Sequence, residues 1–222
     1  MDSPAQYIDH TLLKVDTTSN QIELLCEEAV EYGFASVCIP PNRVALAARI
    51  LYGSETRVGT VIGFPFGYEP REVKVFQASE AFAAGADEID MVIDLGAACE
   101  GRLEVVKDEI ERLVSVAEGK TVKVIIECCL FDQSLKKILA EIAVVSGANY
   151  VKTSTGFSKH GATLEDVRLL AGVVAPRAGV KASGGIRDWP TCQAMIAAGA
   201  CRIGSSHGTA IVQQWFKQES LD

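Results

Sequence analysis

The sequence predicts an α/β fold of the (β/α)8 barrel type, a single domain over residues 1–222, and three observations carry that expectation. Short apolar runs alternate with amphipathic stretches along the whole chain. A small residue followed by glycine recurs ahead of every second strand. A length of 222 residues, 48% of them hydrophobic, is also ordinary for one such barrel.

Taken in order, the first strand candidate is Ile8–Leu13, and the helical period of Gln21–Tyr32 then runs to Gly33. Ser36–Pro40 and Arg57–Gly63 are the second and third strands, and the helix Arg71–Ala84 leads through Gly85 to the strand Glu88–Asp94. The helix Leu103–Glu118 precedes the strand Thr121–Glu127, and Ser134–Ser146 precedes Gly147 and the strand Asn149–Thr153. Leu164–Ala171 and Gly179–Ser183 follow, then Pro190–Ala198, Gly199 and the strand Arg202–Ser205. Glycine after a helix supplies the left-handed cap that other residues adopt only at a cost. Gly33, Gly85, Gly147 and Gly199 are 52, 62 and 52 residues apart, with two strands in each interval. One strand and one helix therefore occupy roughly 25–30 residues, the size of a βα unit. Eight alternating pairs favour a closed barrel over a doubly wound sheet, and no GxGxxG follows the first strand.

A net charge of -8 argues against nucleic acid as a partner, because phosphate backbones are held by clustered Lys and Arg. An anionic ligand must be held locally, by backbone N–H groups and one or two cations. The N-terminal Met1-Asp2-Ser3-Pro4 has neither a basic start nor an apolar run. No stretch reaches the roughly 18 apolar residues of a membrane span, so a cytosolic protein is expected. A homodimer is compatible with the sequence. The seven cysteines include no CxxC pair and lie mostly in apolar surroundings, which predicts buried, reduced thiols. His10, His160 and His207 are too scattered for a structural zinc site.

Two lysines interrupt otherwise apolar or small-residue strands: Lys152 in Tyr150-Val151-Lys152-Thr153-Ser154-Thr155-Gly156, and Lys181 in Val180-Lys181-Ala182-Ser183-Gly184-Gly185. Successive strand residues face opposite sides, so Val151 and Val180 belong to the packed outer layer and both lysines point into the barrel. Two cations placed so close repel. Repulsion and desolvation both favour the free amine, which attacks carbonyl carbon, so the chemistry suggested is a Schiff base. The same alternation sets Glu88, Asp90 and Asp94 opposite Ile89, Met91 and Ile93, and turns Lys123 and Glu127 inward. So many buried charges must pair, and incomplete pairing is a mark of active sites. Lys123 alone reads equally as an edge lysine or a structural ion pair, and Asp9 as an organiser of the first strand and its loop. Thr155-Gly156, Ser183-Gly184-Gly185 and Gly204-Ser205-Ser206 each follow a strand, where bare N–H groups converge on phosphate in barrels.

These segments resemble those of the deoxyribose-phosphate aldolase family, class I aldolases acting through a lysine Schiff base. The matching blocks are Ile8-Asp9-His10-Thr11-Leu12-Leu13-Lys14, Val61-Ile62-Gly63-Phe64-Pro65-Phe66-Gly67, Asp87-Glu88-Ile89-Asp90-Met91-Val92-Ile93, Val151-Lys152-Thr153-Ser154-Thr155-Gly156-Phe157, Gly161-Ala162-Thr163, Lys181-Ala182-Ser183-Gly184-Gly185-Ile186-Arg187 and Arg202-Ile203-Gly204. The resemblance implies reversible cleavage of 2-deoxy-D-ribose 5-phosphate to D-glyceraldehyde 3-phosphate and acetaldehyde, with no metal or organic cofactor. By position it implies Lys152 as the nucleophile, Lys181 as the lysine that tunes it, Asp90 as the acid/base residue and Asp9 as a member of the same network. Gly156, Gly184, Gly185, Gly204 and Ser206 match the phosphate-binding region. The chain departs from the family pattern at Asp94, Ser205 and His207, and it has no tyrosine after Tyr150 to match the tail tyrosine of the family's most studied type. A Schiff-base aldolase for another phosphorylated sugar, or a barrel that binds a phosphorylated metabolite without turnover, has the same glycine-rich strand ends.

Overall fold

Eight parallel strands close on themselves in sequence order, the last pairing with the first, in the computed structural model, which describes residues 3–220. The strands are β1 (Ile8–Thr11), β2 (Ser36–Ile39), β3 (Arg57–Ile62), β4 (Glu88–Val92), β5 (Thr121–Ile125), β6 (Tyr150–Lys152), β7 (Gly179–Ser183) and β8 (Arg202–Ser205). The helices are α1 (Ser19–Tyr32), α2 (Val44–Ile50), α3 (Arg71–Ala83), α4 (Leu95–Cys99), α5 (Leu103–Ala117), α6 (Gln133–Val145), α7 (Leu164–Val174), α8 (Trp189–Ala197) and α9 (Gly208–Glu219). This is a TIM barrel, as the alternation predicts.

Local chemistry explains where the helices begin. Thr18 and Gln21 form a reciprocal capping box at α1, and Asp132, Thr163 and Asp188 accept backbone N–H groups at the starts of α6, α7 and α8. The four repeated glycines end helices as expected: Gly33, Gly85, Gly147 and Gly199 have φ of +71°, +104°, +91° and +111°. At Gly85 a β-carbon would also approach that of Ala48 to 2.7 Å, so the residue closes α3 and lets α2 pack close by. Ile89, Met91, Val122, Val124, Val151 and Val180 point outward from the strands and are buried under the helices. The alternate positions are thereby committed to the interior.

The strands are shorter than the sequence suggests. β1 stops at Thr11, β4 at Val92 and β5 at Ile125, because the chain leaves the ladder to build the loops above the barrel. Asp94 is consequently not an interior charge: it caps α4, accepting the Ala97 N–H at 2.9 Å. α2, α4 and α9 were not anticipated, the first two because 7 and 5 residues are too few to show a clear period. All seven cysteines are free; Cys26, Cys38, Cys128 and Cys192 are buried as expected for most of them, whereas Cys129 is half-buried and Cys99 and Cys201 are exposed. No described helix is long and apolar enough to cross a membrane.

Candidate active site

The inside of the barrel is ionic where most barrels are packed with branched aliphatic side chains. Four cations, Lys123, Lys152, Lys181 and Arg202, share it with three carboxylates, Asp9, Glu88 and Asp90, and all seven are buried. Register places them together: Asp90 is level with Lys123 across β4 and β5, Lys152 with Lys181 across β6 and β7, and Lys181 with Arg202 across β7 and β8. Asp90 lies at the centre. Its Oδ2 accepts from Lys152 Nζ at 2.8 Å and from Lys181 Nζ at 2.6 Å, while its Oδ1 accepts from Lys123 Nζ at 3.0 Å. Asp9 accepts from Lys181 through Oδ2 and from Arg202 at 2.6 Å through Oδ1. Glu88 accepts from Lys123 at 2.5 Å and from Arg202 at 3.2 Å, and its other oxygen takes Arg57 at 3.3 Å from the solvent side. Lys123, readable from sequence as an edge lysine, is thus a full member of the cluster.

The expected pair of bare, repelling lysines is therefore replaced by a bridged one. Burial pushes the Asp90 carboxyl up, but Lys123, Lys152 and Lys181 together outweigh it and hold Asp90 well below the usual carboxylate range. Asp9 follows the same logic: burial raises it, and Lys181, Lys123 and Arg202 bring it below its ordinary value. For Lys181, burial works against the ammonium, yet Asp9 and Asp90 overcome it and hold the group above the normal lysine range. Lys181 is accordingly a fixed cation. Lys152 differs in its contacts: Asp90 is its one carboxylate partner among the described residues, and with all seven groups ionised the cluster carries one uncompensated positive charge.

Above the cluster, at the C-terminal ends of the strands, lies a cavity of about 260 Å³. Lys152 lines it, whereas Lys181 and Asp90 lie beneath. Phe64, from the loop after β3, stands beside the lysine with its ring centroid 5.9 Å from Nζ, and packs edge-on against Phe157 at 5.3 Å. The cavity wall comes from the ends of β1, β7 and β8 and from the loops after β1, β6, β7 and β8, including Thr155, Gly156, Gly184, Gly185, Gly204 and Ser206. All five residues expected to hold phosphate thus face one space with Lys152. Gly156, Gly184 and Gly185 have φ of +87°, +87° and +83°. The loops after β6 and β7 touch here: a β-carbon on Gly161 would meet the Gly184 carbonyl oxygen at 2.1 Å, and Ala162 N–H donates to Ser183 O at 2.9 Å. Gly204 has a second role, since a β-carbon there would press on Lys181 Cε at 3.1 Å. Two cations not singled out from sequence, Lys14 and Arg187, also line the cavity. Both end matching blocks, which was the available signal. His207 lines it too, its Nδ1 3.1 Å from Ser206 Oγ.

A parallel barrel with a lysine cluster opening on a cavity at its strand ends has the architecture of an aldolase, and residues 4–214 match the DeoC/LacD family of aldolases. The chain is 54% identical over 221 residues to the deoxyribose-phosphate aldolase of Syntrophotalea carbinolica, covering 100% of both sequences. It is 55% identical over 212 residues to that of Halalkalibacterium halodurans, covering 95% of each. Among solved structures it superposes on QR15, an aldolase, with a TM-score of 0.95 at 38% identity, covering 100% and 99% of the two chains. It also superposes on the tetrameric deoxyribose phosphate aldolase of Aeropyrum pernix with a TM-score of 0.92 at 34% identity, covering 98% and 94%. The chain belongs to the deoxyribose-phosphate aldolase family.

The charge cluster makes a stability prediction. Replacing Asp9 by Asn leaves Lys181 and Arg202 short of a buried counter-charge, and removing one member of such a pairing costs about 3–5 kcal/mol. Urea titration at neutral pH should show that loss, and an Asp9→Asn protein as stable as the parent would mean the cluster does not depend on this carboxylate. The parent should also be acid-sensitive. Because Asp9 and Asp90 are held low, their stabilisation is complete above the unfolded carboxylate pKa of about 3.9 and is lost as the pH falls from there towards the lower folded values.

Proposed function

We propose that the protein reversibly cleaves 2-deoxy-D-ribose 5-phosphate to D-glyceraldehyde 3-phosphate and acetaldehyde through a Schiff base on Lys152. The observation that carries this reading is the placement of Lys152: it is 3% exposed, it lines the cavity, and the other cations of its cluster are held below by carboxylates. The amine form is the reactive one. Lys181, fixed as a cation by Asp9 and Asp90, stands level with Lys152 on the neighbouring strand and shares Asp90 Oδ2 with it.

In the cleavage direction the Lys152 amine adds to C1 of the open-chain sugar, and loss of water leaves an iminium ion. The C3 hydroxyl gives up its proton, the C2–C3 bond breaks, and its electron pair passes to the iminium nitrogen. Glyceraldehyde 3-phosphate leaves as the aldehyde, and the two carbons that remain on Lys152 are an enamine. Protonation at carbon and hydrolysis release acetaldehyde and restore the amine. Asp90, within 2.8 Å of Lys152 Nζ, moves the protons through a water molecule in the cavity. Asp9 acts from beneath, holding Lys181 in place. On the cavity wall Gly156, Gly184, Gly185, Gly204 and Ser206 receive the phosphate, with Lys14 and Arg187 adding the local positive charge that a chain of net charge -8 otherwise lacks.

Acetaldehyde followed by borohydride should add a single ethyl group, on Lys152, as read by peptide mass spectrometry. Labelling that persists in Lys152→Ala would assign the Schiff base to another amine, and a parent that does not label would favour a non-catalytic sugar-phosphate binder. Lys181→Leu removes the fixed cation that shares Asp90 Oδ2 with Lys152. Its turnover should fall at least about tenfold at pH 7. Equal activity of this variant and the parent at pH 7 would refute the tuning role. A carboxylate in the anion site, Ser206→Asp, should raise KM for the phosphorylated sugar about tenfold or more while leaving acetaldehyde trapping intact, since acetaldehyde has no phosphate. An unchanged KM would place the phosphate elsewhere.

A further inference from the structure

Two residues other than glycine among the described residues have left-handed backbone, Glu118 with φ +48° and Glu127 with φ +51°. Glu118 ends α5 on the surface. Glu127 is different: it is 1% exposed and sits just beyond β5, where the conformation is unfavourable for any residue with a β-carbon. Such strain persists where surrounding contacts enforce it. Sequence alternation turns Glu127 into the barrel with Lys123, but the short β5 releases it, and the left-handed turn swings its carboxylate to β6's loop. Oε2 accepts from Thr155 Oγ1 at 2.5 Å, and both carboxylate oxygens accept from Thr155 N–H at 3.3 Å. Thr155 Oγ1 in turn accepts the Phe157 N–H at 3.1 Å. No described cation pairs with Glu127, so these bonds, with a weak one donated by Cys129 Sγ to Oε1 at 3.9 Å, compensate its burial.

We propose that Glu127 is a positioning residue for substrate capture: through Thr155 it fixes the segment 155–157, keeping Gly156 and Phe157 on the cavity wall at the phosphate end and Phe157 against Phe64 beside Lys152. Glu127 does not itself line the cavity, and its oxygens are engaged by Thr155, so it takes no part in proton transfer at the lysine. The inference rests on the reading of Gly156 as part of the phosphate site. It separates two quantities. Loosening the clamp weakens binding of the phosphorylated sugar, whereas the reaction of Lys152 with acetaldehyde, which needs no phosphate site, continues.

The test measures KM and kcat for deoxyribose 5-phosphate together with the rate of acetaldehyde and borohydride labelling of Lys152. Glu127→Gly removes the carboxylate and adopts the left-handed turn without strain, so folding is preserved while the clamp is lost. This variant should raise KM about tenfold or more, the effect of one lost charge-assisted hydrogen bond, with labelling within about twofold of the parent. Glu127→Gln keeps an oxygen for the Thr155 N–H and should return KM to within about threefold of the parent. A KM within twofold of the parent in Glu127→Gly overturns the inference, and so does labelling that falls in step with turnover. If the parent itself fails to label at Lys152, the function proposed above fails instead; a labelled parent with an indifferent Glu127→Gly removes the clamp alone.

Discussion

One carboxylate oxygen accepts hydrogen bonds from two lysines that reach it from adjacent strands. Asp90 Oδ2 lies 2.8 Å from Lys152 Nζ and 2.6 Å from Lys181 Nζ, and much else in the molecule makes this contact tolerable or useful. Removing a carboxylate from water costs several kcal/mol, and the attraction of nearby cations repays it only where geometry is good and the remaining lone pairs are used. Asp90 meets those terms because Lys123 occupies its other oxygen. Asp9 and Glu88 meet them by dividing Lys181, Lys123 and Arg202 between them. The arrangement is cooperative in the plain sense that every charge of the cluster except Lys152 has more than one partner of opposite sign.

Barrel closure makes this cluster buildable. Asp9 lies on the first strand and Arg202 on the last, yet β1 and β8 are neighbours and the two side chains meet at 2.6 Å. An open sheet of the same eight strands would leave them at opposite edges. Closure also fixes depth, because each strand's stagger decides which inward residue reaches the mouth. Lys152 is the last residue of β6 and opens on the cavity, whereas Lys181 lies two residues before the end of β7 and stays below. The two lysines are level across their strands, yet Lys152 lines the cavity and Lys181 does not. Glycine supplies the remaining room: Gly204 clears Lys181, and Gly161 and Gly184 let two loops pass in contact.

Most of the fold was legible because its signals are local. Strand alternation needs only the five or six residues of one strand, and the left-handed caps at Gly33, Gly85, Gly147 and Gly199 need only the end of one helix. The misreadings fall where a residue's role depends on a distant segment. Asp94 and Glu127 continue the alternation of β4 and β5 on paper, but the strands end before reaching them. One becomes a helix cap and the other reaches across to Thr155. Lys14 and Arg187 pass unnoticed for a similar reason, since a lysine or arginine in a loop looks solvated until four loops are brought around one cavity.

By itself the sequence determined the class of the fold, the inward direction of Lys152, Lys181, Lys123 and Asp90, and the glycine-rich strand ends, all consequences of a period of two and of backbone sterics that act within a few residues. Its motif blocks determined the resemblance to one aldolase family. Only the tertiary structure decided which lysine meets the cavity, that a shared carboxylate replaces direct repulsion between the two, and that Lys123 and Arg202 complete the cluster. Those are properties of distance and desolvation between strands up to 193 positions apart in the chain, which no local pattern encodes.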